Sequence, residues 1–373
     1  MRFVFFCHSL LSDWNHGNAH FLRGVASELQ SRAHQVCVYE PRDAWSLRNL
    51  VQDHGASALQ AFHAAYPELR AERYDPADFH LEEAVAGAEV VLVHEWNDPE
   101  LVRALGRLRR RRDFTLLFHD THHRSVTDPA AMEAFDLSGY DGVLAFGEVI
   151  RRIYLERGWA RHGWTWHEAA DTVRFRPLGG PKQGDLVWIG NWGDEERTLE
   201  LREFLLEPVR RLGLRARVYG VRYPSAALQA LREAGIEYGG YLPNPLVPET
   251  FARFAVTVHI PRRPYAHALP GIPTIRPFEA LACGIPLISA PWSDAEGLFA
   301  AGRDYLVARS GEEMVRLLRR VLQEPQLARL LASQGRATVL AAHTCSHRVD
   351  QLLSIVAEAR SARPRLASTG VLP

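Results

Sequence analysis

Cysteine is scarce in this sequence, and the few cysteines lie far apart. There are four, at positions 7, 37, 283 and 345, and none forms a Cys-x-x-Cys pair. This spacing argues against both a disulfide framework and a structural zinc site. Three of the four lie in apolar segments. The pattern indicates packed, reduced thiols and a cytoplasmic protein.

The chain also lacks an excess of either charge. Lys plus Arg and Asp plus Glu both number 44, so the formal net charge is zero and the isoelectric point is about 7.3. No overall field draws such a chain to nucleic acid or to an anionic membrane, and any anion site must be local. Nucleic acid is therefore not an expected partner, and the sequence does not identify a protein partner.

Long hydrophobic runs are missing too. The apolar start ends at His8, which makes it too short for the core of a signal peptide, and no later run is long enough to span a bilayer. There is no Gly-x-Gly-x-x-Gly and no His-Glu-x-x-His. A dinucleotide site and a zinc site of that kind are therefore not predicted.

What the sequence does contain is a repeated alternation of apolar strands and helices. With 373 residues the chain is long enough for two domains. The alternation runs through both halves and predicts an α/β protein with two doubly wound parallel sheets. A segment rich in Pro and Gly separates the halves. We expect an N-terminal domain at 1–176, a linker at 177–184, a C-terminal domain at 185–342, a helix at 343–360 and a tail at 361–373.

A polar loop follows the first predicted strand, residues 3–7. It contains Asp13, Gly17 and Asn18 and precedes a helix. Ligands of parallel sheets bind at the carboxyl ends of the strands. Gly17 opens the helix, whose free N–H groups can meet an anion. The alternative is that Gly17 serves only as a tight turn.

A second polar cluster follows the predicted strand at residues 114–118. It begins with His119 and Asp120, ends at Arg124 and contains three histidines. Such a cluster could suggest a metal centre, but neighbouring residues of an extended chain point to opposite sides and no established ligand set is present. We therefore predict no metal site and expect His119 and Asp120 to face a polar substrate.

The most informative stretch spans residues 274–289. Pro273 and Pro277 fit the beginning of a helix, which Gly284 ends before a buried strand. Glu279 is the only carboxylate of this helix. It could accept two hydrogen bonds from a vicinal diol such as a ribose. Alternatively, it could interact only with the N-terminus of its own helix.

This stretch resembles the core motif of the group-1 (family 4-like) glycosyltransferases, most closely that of their spore-maturation-protein-like branch. The motif is Arg-x-Phe-Glu-Ala-x-Ala-x-Gly, and residues 276–284 match it. Residues 17–18 resemble the glycine loop of that family, residues 118–120 its strand-end His-Asp, and residues 167–177 its segment before the linker. The similarity covers nearly the whole chain.

The resemblance implies a GT-B fold, in which two Rossmann-like domains face a central cleft and a C-terminal helix crosses back to the first domain. It implies transfer of a sugar from a nucleoside diphosphate sugar to an acceptor, without a metal, in bacterial-type glycan or glycoconjugate synthesis. The nucleotide sugar would be a co-substrate, and no other cofactor is expected. UDP, GDP and dTDP sugars fit equally well, and the acceptor and the stereochemical outcome stay open.

The resemblance also implies roles for individual residues. Glu279 would bind the ribose, His119 the donor sugar and Arg197 the diphosphate. Asp120 and Asp13 are the candidates for a base that takes the acceptor proton. The other donor-binding positions are expected around the diphosphate and the base: Gly17, Asn18, Gly190, Asn191, Tyr241, Leu242, Thr274, Ile275 and Arg276.

Two departures from the family pattern bear on the chemistry. The acid that often stands eight residues before Glu279 is Gly271 here, and the usual Arg beside Gly190 is Asn191. Two other functions therefore stay open. Turnover of a nucleotide sugar without acceptor would favour a sugar-nucleotide epimerase on the same fold. Donor binding with neither transfer nor hydrolysis would favour a non-catalytic nucleotide-sugar or glycan-binding homologue.

Overall fold

Two parallel sheets organise the computed structural model, which describes residues 1–193 and 195–362. In chain order the strands are β1 (Arg2–Phe6), β2 (Gln35–Pro41), β3 (Ala71–Tyr74), β4 (Val90–His94), β5 (Thr115–Asp120), β6 (Gly142–Ala145), β7 (Gly163–Thr165), β8 (Gly184–Ile189), β9 (Ala216–Tyr219), β10 (Ile236–Tyr238), β11 (Phe254–His259), β12 (Leu287–Ser289) and β13 (Leu306–Val307). The first sheet has the order β3-β2-β1-β4-β5-β6-β7 and the second β10-β9-β8-β11-β12-β13. The predicted α/β architecture with two parallel sheets is confirmed.

Helices connect these strands and cover the sheets. They are α1 (Asn18–Ser31), α2 (Trp45–His54), α3 (Ala58–Ala65), α4 (Leu81–Ala84), α5 (Pro99–Arg109), α6 (Arg124–Thr127), α7 (Pro129–Glu133), α8 (Glu148–Glu156), α9 (Thr198–Leu201), α10 (Glu207–Leu212), α11 (Ser225–Glu233), α12 (Val247–Ala252), α13 (Ile275–Ala282), α14 (Gly311–Gln323), α15 (Pro325–Ala342) and α16 (Cys345–Ser361). Single π-helical turns occur at Arg202–Leu206 and Pro264–Ala268, and a 3₁₀ turn occurs at Asn244–Leu246. Within the described ranges no helix is long and apolar enough to cross a membrane.

The apolar strands are buried on both faces, as expected for parallel sheets. In β1, Phe3 and Phe5 pack into one hydrophobic cluster, while Val4 and Phe6 pack into another on the opposite face. The same alternation occurs in β8, where Leu186 and Trp188 belong to one cluster and Val187 and Ile189 to a second. Continuous apolar runs in the sequence therefore mark the central strands of both sheets.

The last helix returns to the first sheet. The chain crosses back where Thr344 pairs with Ala170, and α16 then packs against α1. Arg348 of α16 is buried and donates a hydrogen bond of 2.8 Å from Nε to the carbonyl oxygen of His167. The indole N–H of Trp166 donates in return to the carbonyl oxygen of Arg348 at 2.9 Å. The numerical limits given above for the domains and the linker stay a prediction.

Gly24 marks the closest approach of α1 to α16, and replacing it tests this packing. A Cβ at position 24 would overlap Sγ of Cys345 and lie 3.0 Å from Cβ of Asp171. Gly→Ala inside a helix ordinarily stabilises by roughly 0.5–1 kcal/mol. Here we expect Gly24→Ala to lower the free energy of unfolding by about 1–3 kcal/mol, measured in urea, because overpacking is costly.

Gly106→Ala on α5 is the matched control. The nearest atom to its added Cβ would be 3.5 Å away, an ordinary contact. This change should be neutral or stabilising. A Gly24→Ala protein as stable as the Gly106→Ala protein would contradict the close packing of α1 and α16.

Candidate functional site

A cavity of about 550 Å³ lies between the carboxyl ends of the two sheets. Its walls are residues that follow β1, β4 and β5 of the first sheet and β8, β9 and β11 of the second. Open parallel sheets bind their ligands at this position. Most of the site residues expected from the sequence line it: Asp13, Gly17, Asn18, Gly190, Asn191, Arg197, Tyr241, Leu242, Thr274, Ile275 and Arg276.

Two helix N-termini from opposite domains meet in this cavity. Helix α1 begins after Gly17 and α13 after Thr274, and neither has a side-chain cap or an acidic residue in its first turn. A Cβ on Gly17 would lie 3.7 Å from Cγ2 of Ile275. The positive ends of the two helix dipoles favour an anion between them. In the first turn of α1, the N–H groups of Ala19 and His20 donate to the carbonyl oxygens of His16 and Gly17 at 3.4 and 3.1 Å.

The start of α13 is also strained. Thr274 has φ of 60° and ψ of 179°, a region that is almost restricted to glycine. For a β-branched residue this conformation costs on the order of 1–3 kcal/mol. Backbone strain of this kind concentrates at ligand sites.

Arg197 brings a cation to the same cavity. Its NH1 donates to the carbonyl oxygen of Ile260 at 2.9 Å and its NH2 to that of Asn191 at 2.6 Å. Its Nε is buried, and none of the described residues accepts its proton. Burial, helped by the neighbouring Arg262, lowers the pKa of Arg197 to about 9. A bound anion would satisfy this guanidinium better than the two carbonyls do.

Other polar side chains of the cavity wall also lack partners among the described residues. Both amide atoms of Asn18 and Nε2 of His16 are buried without a hydrogen bond. Buried polar groups are rarely left in this state in native proteins. Together with Arg197 they surround the N-terminus of α1 with hydrogen-bonding capacity for a polar ligand.

Glu279 is buried and already engaged on both oxygens. It is 1% exposed. Its Oε1 lies 3.1 Å from Nδ1 of His20 and 2.9 Å from Nδ2 of Asn244, and its Oε2 lies 2.5 Å from NH1 of Arg276. Burial would raise the pKa of this carboxyl, but Arg276 and His20 hold it below its ordinary value. Because His20 belongs to α1, the ionised carboxylate joins the two domains.

Asp13 makes a second connection between the domains. Its Oδ2 accepts hydrogen bonds from NH1 of Arg23 at 2.9 Å and from the backbone N–H of Asn244 at 2.8 Å. Its Oδ1 accepts one from the hydroxyl of Tyr241. Burial acts to raise the pKa of Asp13, but Arg23 and these bonds hold it below its ordinary value. Both carboxylate oxygens of Asp13 therefore already accept hydrogen bonds. The role of Asp13 as a base stays a prediction.

Tyr241 and Leu242, expected near the nucleotide base, lie on the second-domain wall of the cavity. The ring of Tyr241 stacks on the imidazole of His54 with centroids 4.9 Å apart. One face of the tyrosine is therefore covered by the first domain. Base stacking on this ring stays a prediction.

His119 and Asp120 lie behind the cavity wall and do not line it. They are the last residues of β5, and their backbones pair with Leu144 and Ala145 of β6. The ring nitrogens of His119 have no partner in the described chain, and burial lowers its pKa to about 3. The predicted contact with the substrate assumed that the strand ended before them. Their catalytic roles stay predictions.

The wall in front of β5 consists of Thr121, His122 and His123. Asp120 fixes this loop, because its Oδ1 accepts the backbone N–H of His122 at 2.9 Å. Its other oxygen accepts the hydroxyl of Tyr154 at 2.8 Å. Burial raises the pKa of Asp120. Asp120 therefore contributes to the cavity indirectly, by holding the loop that forms this part of its wall.

Glu168 lines the cavity, although it is not among the site residues expected from the sequence. It is 5% exposed. Burial and the nearby Glu279 raise the pKa of its carboxyl to about 8, against the opposing effect of Arg276. The signal for Glu168 in the sequence was a carboxylate within a mostly apolar segment that follows β7. The sequence could not show that the segment borders the cleft.

The two positions at which the chain departs from the family pattern lie where the domains meet. A Cβ on Gly271 would lie 2.7 Å from Oε1 of Glu296, so another carboxylate occupies that space. Glu296 lies 2.9 Å from Nε2 of His167 and accepts the N–H of Glu148 at 2.9 Å. Asn191 donates to the side chain of Asn15 in the first domain. Both positions thus serve contacts between the domains.

A row of four buried histidines runs through the first domain, with His16 in the cavity wall. The ring centroids of His8 and His16 are 5.2 Å apart, those of His16 and His94 5.8 Å, and those of His94 and His119 5.6 Å. Burial lowers the pKa of each ring, to about 4 for His8 and about 3 for His119. Across residues 1–193 and 195–362, no group of three or more His, Cys, Asp and Glu side chains could hold a metal ion.

The comparison with known sequences concerns the second half of the chain. Residues 197–354 match a protein family described as glycosyl transferase-like. The matched segment includes α13 with Glu279 and two cations of the cavity, Arg197 and Arg276. A search of characterised proteins by sequence finds no match.

Solved structures share the fold of the whole chain. Sucrose-phosphate synthase from Thermosynechococcus elongatus has a TM-score of 0.64 at 14% identity, covering 97% of this chain and 100% of that one. Anabaena HepE in complex with UDP and glucose has a TM-score of 0.66 at 13% identity, with coverages of 96% and 99%. S. aureus TarM in complex with Fondaparinux, α-GlcNAc-glycerol and UDP has a TM-score of 0.65 at 9% identity, with coverages of 95% and 99%. At these identities the similarity establishes the fold alone.

The buried histidines predict that acid destabilises the protein. A histidine whose pKa lies below 6.5 in the folded chain binds fewer protons there than in the unfolded chain, so stability falls as the pH falls below 6.5. At pH 5 the loss is about 2 kcal/mol for each fully buried ring. His119→Phe, which breaks no hydrogen bond, should therefore lose about 2 kcal/mol less than wild type between pH 7.5 and pH 5 in urea unfolding.

The exposed His63 supplies the control for this measurement. His63→Phe should show the same loss between pH 7.5 and pH 5 as wild type. An unchanged loss in His119→Phe would mean that His119 is already charged in the folded protein at pH 5, contrary to its buried position.

Proposed function

We propose that the chain, which has the GT-B fold, is a glycosyltransferase that moves a sugar from a nucleoside diphosphate sugar to an acceptor without a metal ion. The observation that carries this proposal is the meeting of two uncapped helix N-termini, at Gly17 and Thr274, in one cavity. Such a pair suits a diphosphate, which carries negative charge on two adjacent groups. Membership of the spore-maturation-protein-like branch stays a prediction.

Departure of the diphosphate is the difficult part of such a transfer. The N–H groups of both helix starts, with Arg197 and Arg276, are fixed in place before the reaction and would stabilise the negative charge that develops. They act in a cleft between two domains, where exclusion of water strengthens each interaction and protects the donor from hydrolysis. This arrangement supports a reaction that needs no bound cation.

We propose that Glu279 binds the ribose of the donor. The two bonds from His20 and Asn244 to its Oε1 would then be exchanged for bonds from the ribose hydroxyls. Arg276 would keep Oε2 and hold the carboxylate ionised. HepE and TarM are described in complexes with UDP, so UDP compounds come first among the donors to test, with GDP and dTDP compounds after them.

The residues proposed to act on the sugar and the acceptor differ in position. Asp13 lines the cavity and could reach an acceptor only by releasing Tyr241 or Asn244. A direct contact of His119 with the donor sugar requires the loop at Thr121 to move.

A cytoplasmic location completes the proposal and is supported by four free cysteines, of which three are buried.

Gly17→Ala tests the diphosphate site. Its methyl group would occupy the space through which the diphosphate approaches the backbone, yet it would lie 3.7 Å from Ile275 and leave the fold intact. We expect the affinity for UDP, or for the nucleoside diphosphate that binds best, to fall by at least about tenfold, or ~1.4 kcal/mol, in calorimetry. Gly179→Ala, with no atom within 4 Å of its added Cβ, should bind as wild type does. Equal affinities of the two variants would argue against a diphosphate at Gly17.

The role of Glu279 is tested by removing one ribose hydroxyl. Wild type should bind UDP roughly 10- to 100-fold more tightly than 2′-deoxy-UDP, because a hydrogen bond to a charged group is worth about 1.5–3 kcal/mol. Glu279→Gln should reduce this ratio towards one, whereas Glu249→Gln on the exposed face of α12 should preserve it. A full ratio in Glu279→Gln, with thermal unfolding as the check on folding, would rule out the proposed contact.

A further inference from the structure

Three carboxylates line the cavity in the described part of the chain, and they differ in their partners. Asp13 is held by Arg23 and by groups of the second domain. Glu196 lies 2.9 Å from NH1 of Arg262. The carboxyl group of Glu168 receives no hydrogen bond from any described residue, so it alone is available to a ligand.

The backbone around Glu168 is held firmly. Arg348 of α16 donates to the carbonyl oxygen of His167 at 2.8 Å and to that of Glu168 at 3.4 Å. Nδ1 of His167 lies 3.0 Å from the carbonyl oxygen of Phe146. Helix α16 therefore fixes the place at which the side chain of Glu168 meets the cleft. A free side chain on a clamped backbone is the arrangement expected of a functional group.

Burial raises the pKa of the Glu168 carboxyl, and charges on the facing elements modify that pKa. Glu279 and Arg276 of α13 act on it with opposite sign, and Tyr265 of the π-helical turn interacts with it electrostatically. With a pKa of about 8, the carboxyl is mostly protonated at neutral pH. A diphosphate bound at the start of α13 would add negative charge and raise that pKa further. In the donor complex Glu168 would therefore present an O–H group.

We propose, resting on the function proposed above, that Glu168 is a catalytic hydrogen-bond donor to the diphosphate oxygen that leaves the anomeric carbon. In the step, the bond between that carbon and the diphosphate oxygen breaks, and its electron pair stays on the diphosphate. A bond forms between the anomeric carbon and the acceptor oxygen. The acceptor hydroxyl gives its proton to the departing diphosphate, and Glu168 keeps its own.

The test is proton uptake when UDP binds, measured by calorimetry at pH 8 in two buffers of different ionisation enthalpy. Wild type should take up about half a proton, because Glu168 is about half ionised at pH 8 before binding and protonated afterwards. Its affinity for UDP should also fall about tenfold for each pH unit above 8. Glu168→Gln should take up no more than about a tenth of a proton, through Arg197 with its pKa of about 9, and its affinity for UDP should fall only about twofold from pH 7 to pH 9. Glu233→Gln on α11 should behave as wild type does.

Catalysis supplies a second readout. In hydrolysis of UDP-glucose, or of whichever UDP, GDP or dTDP sugar turns over, Glu168→Ala should lose about 10²- to 10³-fold in kcat, the effect of removing one such donor. Glu168→Gln should lose less, since its amide can still donate. Wild type without proton uptake, or an uptake of about half a proton that persists in Glu168→Gln, would overturn the role of Glu168 alone. Failure of wild type to bind UDP, GDP and dTDP would overturn the proposed function together with this inference.

Discussion

Two buried carboxylates, Asp13 and Glu279, hold the two domains of this protein together across the cleft. Each belongs to one domain and is bound by groups of the other: Asp13 by Tyr241 and Asn244, and Glu279 by His20. Asn244 serves both, with its backbone N–H on Asp13 and its side-chain amide on Glu279. A buried charge is costly unless it is paired and hydrogen-bonded. The relative position of the two sheets therefore depends on this network.

The same network would allow the cleft to bind the proposed diphosphate and to release it again. The cross-domain bonds of Asp13 and Glu279 bring the start of α1 against the start of α13, which concentrates positive potential at one point. Binding of a ribose would break some of these bonds and replace them with others of the same kind. The exchange would be nearly balanced in hydrogen bonds, so the proposed donor would bind, and the domains would move, at modest cost in free energy.

Much of the fold could be predicted from the sequence, because parallel strands buried on both faces produce continuous apolar runs. Residues 3–7 and 114–118 were correctly recognised as strands, and the loops after them do border the cleft. The end of β5 could not be predicted. His119 and Asp120 continue the ladder because β6 extends far enough to pair with them. The residue at which a strand ends depends on its pairing with the neighbouring strand. The sequence pattern of one strand does not show that pairing.

The site was harder to predict wherever it depends on contacts between distant segments. The resemblance indicated Glu279 as a site residue. It could not show that His20, which is 259 residues earlier in the chain, lies within hydrogen-bond distance of Oε1 of this carboxylate. Gly271 suggested a missing acid, whereas Glu296 fills that space from another loop. Glu168 was overlooked because its position depends on the clamp from α16. In each case, contacts between residues far apart in the chain determine the position or the partners of the carboxylate.

The claim that the two helix starts form one diphosphate site is tested most directly by amide hydrogen exchange with and without saturating UDP. The account predicts slower exchange at residues 17–19 of the first domain and at residues 274–276 of the second, in the same complex. Protection confined to one domain, or protection that avoids both helix starts while UDP is bound, would contradict it.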